Sequence, residues 1–361
     1  MTRRLRITLL VFLLLTVSLW LLAWNLSWHP EARETVPVAC RSQAPLLVPG
    51  QALKVMTWNV QHLAGKRYVF WYDLDDGSGQ DERATPEDLA YNLDEAARVI
   101  RAEQPDIVLL QELDNGAKAS DYHDQLALLQ ERVVDLYPCS AQAYDWKADF
   151  VPNPHIFGSV GRTLATLSRY QIKQAERLQL PEPDNNPLTN LYQPRRALLT
   201  TYLPLRDGGP LAVLNTQLDR HTAGRDIQRQ QIEAIAAVLD KLESQGTPWL
   251  IGGDFNLLPL GQQRRLKPEQ RHHYASDSEL HLLWDKYPII PSNAEASGAD
   301  RADWFTHFPN DPELKAPDRT LDYLLHSPRI QRVAAKVRQE DTLQISDHLP
   351  LLAQFLLPGA R

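Results

Sequence analysis

The chain carries the sequence GGDFN at residues 252–256, directly after the apolar run WLI at residues 249–251. The apolar run predicts a buried strand, and the two glycines let the backbone turn sharply and let a ligand approach closely. Asp254 and Asn256 occupy alternate positions of an extended segment, so their side chains point the same way. The sequence SDH at residues 346–348 adds a second carboxylate and a titratable imidazole. Together these residues predict metal-assisted hydrolysis at a phosphate.

The composition is that of a globular protein. The 361 residues are 43% hydrophobic and 23% charged, which argues against long disorder. The net charge of -7 argues against an obligate polyanion binder, because basic residues supply most of the affinity for nucleic acids. A bound divalent metal could still supply positive charge locally.

The N-terminal residues form a separate unit. An uncharged, leucine-rich stretch runs from Ile7 to Trp28, and at about 1.5 Å per residue its length matches the hydrocarbon core of a bilayer. Three arginines precede the stretch, and tryptophans, which favour membrane interfaces, crowd its far end. We therefore predict a cytoplasmic stub and a single transmembrane anchor at residues 1–30. The rest of the chain would lie outside the cytoplasm, facing the periplasm if the protein is bacterial. A cleaved signal peptide is the alternative, but Ala23–Trp28 is a poor cleavage site.

The remaining chain divides into a short tether and one catalytic domain. Residues 31–52 hold several prolines and no periodicity, which predicts a tether, and residues 53–361 form the domain. Hydrophobic periodicity predicts helices at Pro86–Arg101, Asp121–Leu136 and Asp226–Leu242. The predicted strands are Leu53–Val60, Asp106–Gln111, Thr163–Leu167, Ala197–Tyr202, Leu211–Gln217, the strand at residues 249–251, Leu321–Leu325, Arg332–Val337 and a last strand after His348. This order predicts two stacked sheets with helices outside.

Two long connections and two cysteines complete the organisation. Ala64–Ala84 combines aromatic and acidic residues, and Pro291–Asp318 holds aromatic residues among polar ones. Loops of this length are typical of lids or binding loops, although aromatic residues can also fold back as a local core. Cys40 and Cys139 could pair in an oxidising compartment or remain free thiols, and the sequence leaves both open.

Three further polar residues share the strand-end character of the opening motif. Asn59 ends the first predicted strand, and Glu112 ends the second. Asp322 lies inside an apolar strand, where an unpaired charge is costly, so we expect it to have a partner such as His348.

In this order the segments resemble the endonuclease/exonuclease/phosphatase superfamily of metal-dependent phosphoesterases. The resemblance implies an α+β fold, a four-layer α/β/β/α sandwich, preceded here by the transmembrane helix. The matching segments extend over essentially the whole non-membrane chain. They are Thr57–Val60, Gln111–Glu112, Leu167–Tyr170, Leu214–Thr216, Gly253–Asn256, Asp322–Tyr323 and Ser346–His348.

The resemblance implies a metal site. Glu112 would bind Mg²⁺ or Mn²⁺, hard cations that prefer carboxylate oxygen, with Asn59 beside it and Asp347 near the metal.

The resemblance also implies catalytic roles. Asp254 would orient and deprotonate the attacking water, and Asn256 would hold a non-bridging phosphate oxygen. His348, held by Asp322, would stabilise charge that develops on the phosphoryl group.

Substrate contacts are implied for Asn215, Gln217 and Arg169. Many hydrolytic members have histidine at the position of Gln217. A glutamine donates a hydrogen bond but cannot protonate a leaving group. His221 is a candidate replacement.

The sequence therefore predicts a membrane-anchored phosphodiesterase or phosphatase that acts outside the cytoplasm, with a lipid-linked phosphate as one candidate substrate. Residues 7–28 would contact the membrane, and no obligate protein partner is inferred. A metal-dependent endonuclease acting on nucleic acid is the first alternative. A catalytically weak binding protein on the same fold is the second, supported mainly by Gln217.

Overall fold

The computed structural model describes residues 3–41, 43–74, 76–206, 208–221 and 226–359. Within these residues the chain forms two mixed sheets with helices on both outer faces. The strands are β1 (Arg33–Val36), β2 (Val38–Cys40), β3 (Ala52–Asn59), β4 (Ile107–Asp114), β5 (Cys139–Val151), β6 (Gly158–Ser168), β7 (Gln174–Gln179), β8 (Ala197–Pro204), β9 (Pro210–Gln217), β10 (Trp249–Asp254), β11 (Ile289–Ile290), β12 (Asp322–His326), β13 (Gln331–Val337) and β14 (Leu351–Leu356). The α-helices are α1 (Arg3–Leu26), α2 (Pro86–Glu103), α3 (Gln125–Arg132), α4 (Pro187–Tyr192), α5 (Ile227–Ser244), α6 (His281–Trp284) and α7 (Asn293–Ser297).

The two sheets have related topologies. Their strand orders are β1-β7-β8-β9-β10-β12-β11 and β13-β14-β3-β4-β6-β5-β2. Near the centre of each sheet is a parallel pair, β9 with β10 in the first and β3 with β4 in the second. Parallel neighbours need a long crossover, and α5 and α2 provide it.

Apolar side chains fill the space between the layers. The facing surfaces of the sheets meet in a central core that includes Leu109, Val213, Leu250 and Phe355. Helices α2 and α3 cover the outer face of the second sheet, and α5 covers the outer face of the first. Each fully buried side chain of this kind contributes about 1.5–3 kcal/mol, so the layer contacts stabilise the fold. The predicted α/β/β/α sandwich is confirmed.

The helix starts follow from local capping. The hydroxyl of Thr85 accepts a hydrogen bond from Asp88 N at 3.2 Å, and α2 begins at Pro86 as predicted. Helix α3 is shorter than predicted, because Asp124 caps it by accepting from Ala127 N. Asp121, the predicted start, lies outside the helix with a φ of 55°.

Some strands were not predicted. The sequence pattern does not predict strands β5 and β7, and the segment predicted as a tether contributes β1 and β2 to the two sheets. Cys40 pairs in register with Cys139, and the two form a disulfide. Residues 33–40 are therefore part of the folded body.

Gly252 and Gly253 lie where the chain is closely packed. A Cβ atom on Gly252 would lie 2.6 Å from Leu324 Cδ2 and 2.9 Å from Leu109 Cδ1 of the opposite sheet. A Cβ on Gly253, whose φ is 156°, would lie 1.9 Å from the backbone oxygen of Thr216. The neighbouring strand and sheet, rather than a close ligand as the sequence suggested, require these glycines.

Helix α1 is the predicted anchor segment. None of its 24 residues is buried, and it is long and apolar enough to cross a membrane, a property that a signal sequence shares.

Candidate active site

Polar residues from both sheets meet at one end of the sandwich. Asn59 ends β3 and Asp254 ends β10, and Asn59 Nδ2 donates to Asp254 Oδ2 at 3.2 Å. Both residues belong to the parallel pairs, whose carboxyl ends lie at the same edge. The ends of β3 and β10, which belong to different sheets, therefore lie together at this edge.

A β-bulge directs Glu112 towards this edge. The pairing of β4 with β6 shifts register between Leu110 and Leu113, and Glu112 has a φ of 59°. A bulge of this kind re-aims a side chain next to a site. Oε1 of Glu112 consequently accepts a hydrogen bond from Gln217 Nε2 of the other sheet at 2.5 Å.

Asp254 is the centre of the site. Its side chain accepts from Asn256 N at 3.0 Å through Oδ1. Through Oδ2 it accepts from the side-chain amides of Asn59, Gln217 and Asn256 at 3.2, 3.1 and 3.3 Å. Four donors fix this buried carboxylate in one orientation.

Asn256 positions Asp254. Its side-chain amide donates to Leu218 O at 3.0 Å as well as to Asp254. Both hydrogens of that amide are thus engaged, and the phosphate contact implied by the resemblance stays a prediction.

His348 forms a buried pair with Asp322, as predicted. The Nδ1 atom of His348 lies 2.8 Å from Asp322 Oδ2, which leaves Nε2 facing Asp254 Oδ2 at 3.8 Å. Burial alone lowers the pKa of His348, but the carboxylates of Asp322 and Asp254 raise it well above the ordinary value. The imidazole is therefore a cation with one N–H directed into the site.

His62 and Asp114 join the site without having been identified from the sequence. His62 Nδ1 lies 2.9 Å from Asp114 Oδ1, and its Nε2 lies 3.3 Å from Glu112 Oε2. Burial lowers the pKa of His62, but these two carboxylates raise it to about 9. Burial alone raises the pKa of Glu112, and the charges of His62 and Arg162 lower it to about 2.

Asp347 and His307 form the third side of the site. His307 Nε2 lies 3.6 Å from Asp347 Oδ2, and the His307 ring packs edge-on against His348 with centroids 4.5 Å apart. Burial and the His348 cation lower the pKa of His307 to about 3, so this ring is neutral. Burial alone raises the pKa of Asp347, but His307 and His348 hold it well below the ordinary value.

The donors at the site fit a hard divalent cation. Glu112 and Asp347 are ionised carboxylates, and Asn59 offers an amide oxygen, which are the ligands that Mg²⁺ and Mn²⁺ prefer. Oε1 of Gln217 is buried beside Glu112 and has no hydrogen-bond partner among the described residues, so this part of the structure leaves one acceptor of the site unsatisfied. Two groups of three His or Asp side chains, residue types that can ligate a metal, each have their ligand atoms within 4.8 Å of one another. They are His307, Asp347 and His348, and Asp254, Asp322 and His348.

Two of the predicted substrate residues lie elsewhere. Asn215 is fully buried between the sheets, where its Nδ2 donates to Leu110 O and Ala165 O at 2.9 Å. Arg169 follows Ser168, which pairs with Ile107 at the start of β4, about 16 Å along the strand from Glu112. Neither residue lines the cavity, because Asn215 joins the sheets and Arg169 lies at the opposite end.

A cavity of about 790 Å³ opens in front of the site. The predicted loop Ala64–Ala84 forms one wall, where the Phe70 and Tyr72 rings stack with centroids 5.4 Å apart. The arginine and lysine residues of the lining are Arg83, Lys118, Arg162, Arg196 and Arg220. The second long loop contributes His307 to the site, whereas its Trp304 packs against the central core.

Known proteins share this architecture. The model of the Endonuclease/Exonuclease/phosphatase family matches residues 56–348, and none of the curated proteins matches the chain. A solved endonuclease/exonuclease/phosphatase from Beutenbergia cavernae DSM 12333 is 23% identical, with a TM-score of 0.58 over 86% of this chain and 72% of that one. A family protein from Leptotrichia buccalis C-1013-b is 14% identical, with a TM-score of 0.54 over 84% and 99%. The human nocturnin catalytic domain, solved with a bound sulfate anion, is 18% identical, with a TM-score of 0.51 over 90% and 97%.

Proposed function

The chain belongs to the endonuclease/exonuclease/phosphatase family, and on this premise we propose that it is a membrane-anchored, metal-dependent hydrolase of phosphate esters. Members of the family are in general metal-dependent hydrolases of such esters. The finer part of the proposal is that the enzyme acts outside the cytoplasm, on a phosphodiester or monoester linked to a lipid. What supports hydrolysis most directly is the buried Asp254 carboxylate, fixed by four donors and 3.8 Å from His348 Nε2.

Asp254 acts as the general base, and His348 acts as a hydrogen-bond donor. Oδ1 of Asp254 accepts one hydrogen bond where Oδ2 accepts three, so Oδ1 is the atom that orients the attacking water and takes its proton. The N–H at Nε2 of His348 donates to the phosphoryl oxygen on which charge develops, and Asp322 holds the ring in that orientation.

Glu112, Asn59 and Asp347 would hold the metal ion. When bound, a divalent cation supplies Lewis-acid polarisation of a phosphoryl oxygen, which is worth several kcal/mol. The ionised state of both carboxylates favours its binding. The guanidinium of Arg162, 3.9 Å from Glu112 Oε1, adds positive charge beside the substrate phosphate.

Three features favour a lipid-linked phosphate over a polynucleotide. Helix α1 would keep the cavity close to a bilayer, and the net charge of -7 opposes the approach of a polyanion. The aromatic residues that line the cavity suit a substrate with an apolar part.

The test uses the full chain in detergent, with an activated soluble phosphodiester and Mg²⁺ or Mn²⁺. We expect metal-dependent hydrolysis by the wild type and its loss in Asp254→Asn, with an unchanged melting temperature. Asp303→Asn removes an exposed carboxylate outside the cavity and is the matched control. Equal hydrolysis by wild type and Asp254→Asn would show that the assigned site is wrong.

The substrate class is tested by comparing phospholipid micelles with plasmid DNA at matched enzyme concentration. We expect cleavage of the phospholipid. Cleavage of DNA alone would establish the endonuclease alternative instead.

A further inference from the structure

The end of α1 is joined directly to the folded body. Ser27, the residue after α1, forms an antiparallel bridge with Ala148 of β5. The guanidinium of the buried Arg177 lies over the Trp28 ring at 4.7 Å, and Arg177 Nε donates to Tyr144 O at 2.8 Å. The point at which the chain leaves α1 is therefore fixed to the edge of β5.

Strand β5 runs towards the end of its sheet at which α1 ends, so the hairpin after β5 lies near α1. After α1, Ser27 lies opposite Ala148 of β5 and Cys40 lies opposite Cys139 of β5, while β1 between them pairs with β7 of the other sheet. Beyond Ala148, β5 continues for three residues, about 10 Å, and turns into β6. The tip of this hairpin, residues 150–157, consequently lies on the side of the body from which α1 emerges.

The hairpin tip presents exposed apolar side chains beside the polar Asn153 and His155, and His155 Nδ1 pairs with Asp81. Phe157 is 60% exposed and packs edge-on against Phe150 with ring centroids 5.0 Å apart. Exposed prolines at positions 152 and 154 lie between them. Lys118 Nζ donates to Phe157 O at 2.8 Å, so a cation lies beside the aromatic pair. Aromatic rings flanked by lysine favour the interface of a membrane that carries phosphate headgroups.

The same tip forms part of the cavity wall. Residues 154–157 line the cavity of about 790 Å³ together with Gln217, Asp254 and His348. A surface that contacts the tip would thus lie next to the entrance of the site.

We propose that the tip at residues 150–157 inserts into the headgroup region of the bilayer that α1 spans, and that the cavity takes its phosphate ester from a lipid of this bilayer. The inference rests on the proposed function for both the anchor and the hydrolytic site. Burial of two aromatic rings and two prolines removes apolar surface from water, and α1 supplies the proximity at no further cost in translational freedom.

The experiment measures the depth of single labels in the full chain. Phe157→Cys, Leu14→Cys and Val333→Cys each receive a fluorophore sensitive to its environment, under conditions that keep Cys40 and Cys139 oxidised. Leu14 lies within α1, and Val333 is 56% exposed on β13, five strands from β5 and about 24 Å away. Proteins are placed in vesicles of phosphatidylethanolamine and phosphatidylglycerol that carry a nitroxide quencher on the upper acyl chain.

We expect quenching at positions 14 and 157 and no quenching at position 333. Quenching at 14 without quenching at 157 would overturn the inference and leave the anchor intact. Absence of quenching at both 14 and 157 would overturn the anchor as well, and quenching at all three positions would contradict a specific orientation. A label at Pro154→Cys repeats the measurement if Phe157→Cys does not fold. Hydrolysis of the soluble phosphodiester, measured separately, tests the hydrolase proposal alone.

Discussion

Gln217 donates its side-chain Nε2 to Oε1 of Glu112 at 2.5 Å, from the position at which many hydrolytic members of the family carry histidine. The same nitrogen lies 3.1 Å from Asp254 Oδ2. A neutral amide thus holds two carboxylates in place, but it has no proton to give to a leaving group.

Replacement of Gln217 by histidine should change the dependence on the leaving group. An imidazole between two carboxylates would be protonated and could act as a general acid, which contributes about 10²–10⁴-fold where the leaving group is poor. We expect Gln217→His to accelerate cleavage of alkyl esters and to leave nitrophenyl esters nearly unchanged. Rates over a series of leaving groups of increasing pKa measure this effect.

Gln217→Leu is the matched control, since it keeps the volume but loses the donor. We expect it to be slower than the wild type on every ester, because Glu112 and Asp254 then repel each other without a shared partner. An equal increase by Gln217→His on good and poor leaving groups would contradict the general-acid explanation.

Replacement of Asp322 should disable His348 without disturbing the fold. Asn keeps the shape of Asp322, but it removes the charge that raises the pKa of His348 and orients Nδ1. We expect Asp322→Asn to lower kcat by about 10²-fold or more, with little change in metal affinity, because Asp322 holds the ring and not the metal. Single-turnover kinetics and metal titration measure the two quantities. A loss that excess metal restores would contradict this role.

Site residues that lie at the ends of regular strands can be predicted from the sequence. Site residues that lie in loops cannot, because no periodic pattern indicates where their side chains point. Asn59, Asp254 and Asp322 end or begin strands and belong to motifs that the sequence displays. His62 and His307 come from irregular segments, where no periodicity indicates direction. The sequence pattern does not predict strand β5, because the buried Asp145 interrupts its apolar residues. The charge of Asp145 is paired with Arg162 and Arg196, both at 2.9 Å, which are distant in sequence and are brought close by the fold.

Glu103 should stabilise the protein only above acidic pH. Burial alone raises the pKa of Glu103, but hydrogen bonds from Lys336 and Lys54, both at 2.7 Å, lower it below the ordinary value. Because the folded-state pKa is below the unfolded value of about 4.3, the stabilisation is present above that pH and is lost as the pH falls through the folded-state pKa. We expect Glu103→Gln to cost about 1 kcal/mol at pH 7 in urea unfolding, since the lysines are partly exposed to solvent. The exposed Glu340→Gln is the control. If the destabilisation caused by Glu103→Gln does not decrease as the pH falls, the stability does not depend on the ionisation of Glu103.

The two glycines of the opening motif should differ in their tolerance of alanine. At Gly252 the added methyl meets the ends of leucine side chains, which can shift, and overpacking of this kind costs about 1–3 kcal/mol. At Gly253 it meets the backbone of β9, which cannot shift, and φ is unfavourable as well. We expect Gly252→Ala to melt a few degrees lower and Gly253→Ala to be far less stable. Gly209→Ala, whose added Cβ has no atom of the described residues within 4 Å, should be neutral. Equal effects at positions 252 and 253 would contradict the packing explanation.

The Cys40–Cys139 disulfide should stabilise the protein against unfolding. It closes a loop with a sequence separation of 99 and holds β2 against β5, the strand that also contacts Ser27 at the end of α1. A bond across a loop of this size restricts the unfolded chain, and its loss costs about 2–5 kcal/mol. We expect the double variant Cys40→Ala/Cys139→Ala to unfold at lower urea concentration and its β2 amides to exchange faster. Reducing agent should destabilise the wild type to the level of the variant and leave the variant unchanged. Destabilisation of both proteins by the reductant would show that the effect does not come from this bond.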